Sequence, residues 1–107
     1  MKSELRLLQD ILDAIASIES YNVQSYNMLQ NDPKTRDAVL YNLVIIGEAA
    51  NQLPEIFRNE NSHIPWSSMI GARNIIVHGY DQIKLSIVWD ILRNDLGLLG
   101  SELNKLL

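Results

Sequence analysis

"AVLYNLVIIG", Ala38 to Gly47, is the stretch on which the fold turns. It carries no charge. Val39, Leu43, Ile46, Ala50 and Leu53 recur at four-three-four-three spacing, the signature of one helical face. Leu40, Val44 and Ile45 lie off that stripe. A helix that is apolar round most of its circumference needs more than one packing partner. Upstream, Asp32 is a good N-cap and Pro33 a good first helical residue. Downstream, Pro54 ends the pattern. The spacing therefore predicts a helix from Pro33 to about Leu53. In a chain of 107 residues one of its partners is expected to be a second copy of the same chain.

Outward from this helix the same periodicity repeats. Leu5, Leu8, Leu12 and Ile15, with Ile11 and Ile18 slightly offset, predict a first helix from Ser3 to about Met28. "EIFRNENSHIPW" reads as an irregular connection with one short helical turn. A third helix is predicted over Pro65–His78. A fourth runs from Ile83 to Leu106, with Gly97 and Gly100 as its weak points. Trp66 and Trp89 are read as core aromatics, and His63 as an exposed loop residue. No strands, repeats or low-complexity segments stand out. The expected architecture is one all-α domain, residues 1–107, an antiparallel bundle of four to five helices.

Composition narrows the chemistry. Apolar residues make up 47% and charged residues 21%, the balance of a globular domain. Absence of cysteine excludes disulfides, thiolate nucleophiles and cysteine-ligated zinc. The two histidines, His63 and His78, are not at zinc-binding spacing. Neither a metal nor another cofactor is expected. No apolar run approaches the roughly 18 to 20 residues of a membrane span, and "MKSELRLLQD" lacks the uncharged core of a signal peptide. A cytoplasmic location with no membrane partner is expected. The net charge is −4, and the nine basic residues are scattered. Any nucleic-acid contact must be local, or be built with a partner chain.

The chemically selective stretch is "IGARNIIVHGY", Ile70 to Tyr80. Gly79 is expected to cap the third helix in the left-handed conformation, leaving His78 as the last helical residue. Protonation is favoured at that negative end of the helix dipole. Asn74 lies four residues before His78, on the same face, within reach of a ring nitrogen. Arg73 and His78 differ by about 140° and flank one edge of the helix end. Ile70, Ile76 and Val77 are expected to pack inward. An arginine fork suits a phosphate, and a histidine can take or give a proton. Together they suit cleavage of RNA by its own 2′-hydroxyl, with the second proton-transfer group supplied by a second copy. The spacing fits a structural role for the pair as well and leaves both readings open. Glu48 is either a solvated carboxylate or a cleft residue that positions Arg73. Asp37 either favours its helix N-terminus or reaches the cleft. Tyr41 and Asn42 are candidates for a dimer interface, with core packing an equal explanation for Tyr41.

"RNIIVHGY" resembles the Arg-x4-His-x-Tyr motif of HEPN domains. "RDAVLYNLVIIGEAAN", Arg36 to Asn51, and "IPWSSMIGARNIIVHGY", Ile64 to Tyr80, are similar to the second and third helices of the HepT-like (DUF86) branch. The following "IKLSIVWDIL" resembles its fourth. The resemblance implies an all-helical homodimer with the motif in a cleft between the copies. It implies a metal-independent ribonuclease toxin acting on RNA, with tRNA a candidate substrate. It also implies a nucleotidyltransferase antitoxin of the MntA type as partner, within a larger hetero-oligomer. On this reading Arg73 and His78 are catalytic, Asn74 supports them, and Tyr80 receives AMP from the antitoxin. The reading of another class is a non-catalytic helical subunit that recruits a nucleotidyltransferase or holds a nucleotide.

Overall fold

The computed structural model describes residues 2–107, and among them it is all-helical. Helix α1 spans Glu4–Ser20, α2 Tyr26–Asn31, α3 Pro33–Gln52, α4 Glu55–Glu60 and α5 Trp66–His78. A 3₁₀ turn follows at Tyr80–Gln82. Helix α6, Leu85–Asp90, runs through a π turn, Ile91–Asp95, into α7, Leu96–Leu106. No helix among the described residues is long and apolar enough to cross a membrane.

Helix α3 starts and stops where the sequence places it. Asp32 Oδ1 accepts from the Thr35 amide at 3.4 Å, and Thr35 Oγ1 donates to Asp32 Oδ2 at 2.8 Å. Those bonds hold the Asp32 carboxyl below its usual range, the side-chain bond contributing most. Along α3, Val39, Leu40, Leu43, Ile46, Ala49 and Ala50 are buried, and Val44 and Ile45 are partly buried against the same core. The near-continuous burial has a plain cause, for α3 packs against both α1 and α5. Part of its apolar circumference is thus satisfied within one chain. Asn42 is the buried polar side chain of the core, and its Nδ2 donates to Tyr21 Oη at 3.0 Å and to the Ala38 carbonyl at 2.9 Å. It therefore ties α3 to the end of α1 and leaves the surface to Tyr41, which is 67% exposed. Core packing does not account for Tyr41.

The first helix is shorter than its periodicity suggests. It stops at Ser20, and Asn22 adopts φ 53°, a left-handed turn that asparagine tolerates. Ser25 then caps α2, its Oγ accepting from the Met28 amide at 3.1 Å. One predicted helix becomes two because the turn brings Leu29 fully into the core.

The last helix is continuous, and its irregularity lies away from both glycines. The π turn at Ile91–Asp95 inserts the extra residue, so that Ile91 and Leu96 are both buried. Gly97 and Gly100 sit in regular α7. The two tryptophans differ. Trp66 is buried and donates Nε1 to the Asn61 carbonyl at 3.0 Å, with the Phe57 ring 6.3 Å away. Trp89 is half-buried, and the Arg93 guanidinium lies 5.8 Å from its ring centroid. His63 is exposed as expected, with Nε2 3.2 Å from Glu102 Oε2.

Candidate functional site

Helix α5 reads "WSSMIGARNIIVH" and contains no acid. Its inner stripe is Trp66, Met69, Arg73 and Ile76, at three-four-three spacing. Trp66, Met69 and Ile76 are buried. Arg73 joins them through its aliphatic stem because α3 presents Gly47 at the crossing. A Cβ added at Gly47 would meet Arg73 Cβ, and would lie 2.7 Å from the Met69 carbonyl oxygen and 3.0 Å from Arg73 Cγ. Only a residue without a side chain lets α3 and α5 approach this closely. The sequence places Arg73 on a polar edge. The structure instead seats its stem in the seam between two helices, which leaves only the guanidinium at the surface.

Where that guanidinium emerges, Glu48 meets it. Arg73 Nε and Nη2 donate to Glu48 Oε1 at 2.9 and 2.6 Å, and Nη1 donates to Asn74 Oδ1 at 2.8 Å. The side chain is 21% exposed. The carboxylate therefore holds one edge of the fork in a charge-assisted, part-buried pair. One N–H on each terminal nitrogen remains open. As to the two readings of Glu48, the carboxylate is thus in direct contact with Arg73. Asn74 is bonded to Arg73 and not to His78, because one helical step carries its amide back across the guanidinium.

His78 is the final residue of α5, followed by Gly79, whose amide donates to the Ile75 carbonyl at 2.8 Å. Gly79 adopts φ −138° and ψ 48°, so the left-handed cap expected from the sequence does not form. The chain turns instead into the 3₁₀ segment, where the Gln82 amide closes back on the Gly79 carbonyl at 2.8 Å. His78 lines a shallow concavity with Asn74, Ile75, Gly79 and Gln82. An apolar groove of about 280 Å³ adjoins it and shares Ile75 and Gln82. Gln82 and Gly47 are contributions that motif spacing does not reveal, although a glycine inside an apolar helix, directly before a lone Glu, is the available signal.

Other candidates are not brought in. Asp37 lies on α3 with its side chain 62% exposed, and its ion pair is with Arg36 Nε at 3.8 Å. No contact joins it to Arg73. Tyr80 opens the 3₁₀ turn and is 61% exposed. Val77, expected inside, is 46% exposed, and Ile75 is 45% exposed. The inner stripe is one residue wide, and neither of these positions falls on it. No group of three potential metal-ligating side chains occurs among the described residues.

Comparison with known proteins now adds to this geometry. The sequence model of the family described as "Ribonuclease HepT-like" matches residues 11–106. Putative RNase MJ0127 of Methanocaldococcus jannaschii is 37% identical over 95 residues, covering 87% of this chain and 78% of that protein. Probable ribonuclease HepT of Thermococcus cleftensis is 31% identical over 106 residues, covering 98% of this chain and 96% of that protein. Putative RNase TTE0752 of Caldanaerobacter subterraneus subsp. tengcongensis is 30% identical over 108 residues, covering 100% and 96%. No solved structure matches the chain.

Proposed function

This chain belongs to the ribonuclease HepT-like family, and on that premise we propose that it is a metal-independent endoribonuclease toxin whose site is completed by a second copy. The observation that carries the reading is the Arg73 guanidinium. Glu48 and Asn74 fix it while an N–H on each terminal nitrogen stays open, five residues before a histidine that faces solvent. That arrangement suits a phosphodiester. The ribose 2′-oxygen attacks the adjacent phosphorus as its proton passes to one histidine. The phosphorane's negative charge falls on the open edge of Arg73. The bond to the 5′-oxygen then breaks, and a second proton-transfer group, His78 of the other copy, protonates the leaving oxygen. The products are a 2′,3′-cyclic phosphate and a 5′-hydroxyl.

Tyr80 supplies the off-switch in this reading. Its exposed phenol attacks the α-phosphorus of ATP on a nucleotidyltransferase antitoxin, pyrophosphate leaves, and the phenolic proton goes to solvent. The attached AMP brings a phosphate and bulk two residues beyond His78, where it competes with RNA for Arg73. Glu48 acts by positioning Arg73, whereas Asp37, exposed and remote from these contacts, has no assigned part.

The test is RNA cleavage by the purified chain. His78→Ala and Arg73→Ala are each expected to reduce the rate about 100-fold to 10,000-fold with the fold intact by circular dichroism. Tyr80→Phe should cleave RNA normally but resist inactivation by the antitoxin and ATP. A His78→Ala protein that cleaves like wild type would overturn the assignment. The non-catalytic reading would then take its place if the Arg73 or His78 change instead removed binding to the nucleotidyltransferase.

A further inference from the structure

The apolar groove beside the motif has no part in the chemistry described so far. It holds about 280 Å³ and is walled by Ile75 of α5, by Ile83, and by Ile87 of α6. Its polar lining is small and specific: Gln82 and Lys84, of which Lys84 is the one charged side chain. Gln82 lines the His78 concavity as well, so a single amide stands where the two depressions meet. Gly79 makes room for it, since a Cβ added there would lie 3.7 Å from Gln82 Oε1 and 3.9 Å from Gln82 Cβ. The Gln82 backbone is pinned by its amide, which donates to the Gly79 carbonyl at 2.8 Å. The residue itself is exposed, with a donor and an acceptor side by side at the end of its side chain.

We infer that this groove is a base subsite, which receives one unstacked nucleobase of the RNA next to the bond on which His78 acts. The inference rests on the ribonuclease reading and names a substrate contact that the reading leaves open. Size points to the occupant. The volume falls just under the roughly 300–1,000 Å³ of sites that enclose drug-sized ligands, so it suits one planar ring and not a folded element. Chemistry points the same way. Branched aliphatic walls cover the faces of a ring, and a primary amide sets a donor beside an acceptor, the pattern that pairs with two neighbouring atoms on a base edge. Lys84 supplies a cation for that nucleotide's phosphate. An apolar protein surface laid over the groove, a second copy included, would strand the Gln82 amide and the Lys84 ammonium without partners. A nucleotide carries complements for both. Continuity fixes the position. Because Ile75 and Gln82 belong to both depressions, a base seated in the groove lies beside a phosphodiester held at His78. The net charge of −4 also gives RNA little diffuse attraction, and a base pocket supplies affinity that does not depend on it. The substrate strand is single, since only an unstacked base can enter such a groove. Gln82 is the specificity-determining residue, and Lys84 acts alike on every sequence.

The test uses single-stranded oligonucleotides that differ only in the base beside the cleaved bond. Wild type should prefer one base, and Gln82→Ala should lower kcat/KM for that base about tenfold or more while the others change least. Gln82→Glu keeps the side-chain length and removes the donor. Its loss should be greatest for uracil and guanine, whose carbonyl oxygens no longer meet an N–H. A residue that only shapes the turn would lower all four rates alike. Lys84→Ala should raise KM about equally for every base and reduce the salt dependence by about one ion. An oligonucleotide with an abasic ribose at that position should be cleaved at the same rate by wild type and Gln82→Ala. Equal losses for all bases in Gln82→Ala, or an abasic substrate that still separates the two proteins, would overturn the inference. So would weaker self-association of Ile87→Glu in sedimentation with base preference unchanged, which would give the groove to a second copy. Binding is read separately, from the emission of 2-aminopurine placed at that base. Wild type should change the emission, and Gln82→Ala and Ile87→Glu should abolish the change. A wild type that changes the emission and cleaves nothing would sink the ribonuclease reading and leave the subsite standing. A wild type that does neither would sink both.

Discussion

The two faces of α5 obey opposite rules. On the inner face, contact is so close that α3 must give up a side chain at Gly47, and a charged residue, Arg73, contributes its stem to the seam. On the outer face, Gly71 leaves open space and two branched aliphatics stand half in solvent. The inner face is finished by one chain. On the outer face a Cβ added at Gly71 would meet nothing within 4 Å. The lesson is that a helix can carry structural and functional constraints on different sides. The same residue type, glycine, then means different things according to what lies above its missing Cβ.

Substitutions can break or sharpen this contrast. The largest effect is expected from Met69→Ala on the inner face. Met69 is 1% exposed, and truncation there should cost about 2–5 kcal/mol in a denaturant melt. Next comes Gly47→Ala, where the added methyl must displace Arg73 or the α5 backbone. It should cost about 1–3 kcal/mol and weaken cleavage by misplacing the guanidinium. If Gly47→Ala melts and cleaves like wild type, the inner seam is looser than described. The smallest effect, and the one of opposite sign, is Gly71→Ala. It should stabilise the isolated fold by up to about 1 kcal/mol. A destabilised Gly71→Ala would mean the outer face has an intrachain role after all.

Much of the fold was legible. The extent of α3 follows from Asp32, Pro33 and Pro54, because caps and prolines act locally and leave direct marks. The end of α5 at His78 was placed correctly, although Gly79 does not take the left-handed cap on which that placement rested. The motif residues were legible as a pattern, and the family comparison agrees with the resemblance drawn from it. Other features were not. The break after Ser20 depends on Asn22 taking a left-handed turn that seats Leu29 in the core, a gain realised only when the core exists. The π turn at Ile91–Asp95 relieves a register conflict between buried Ile91 and buried Leu96, which helical counting at a fixed angle cannot express. The Gly79 conformation was misread because the following 3₁₀ turn, not the helix, sets its backbone.

By itself the sequence determined an all-helical chain, the bounds of α3 and α5, and a motif of Arg73, Asn74, His78 and Tyr80 on or just beyond one helix. These are short-range matters of capping, periodicity and composition. Only the tertiary structure decided which side of α5 each residue serves. Periodicity alone cannot tell a polar edge from a seam, because a long arginine side chain fits either. The crossing at Gly47 settles it by drawing α3 close enough for Glu48 to take the guanidinium.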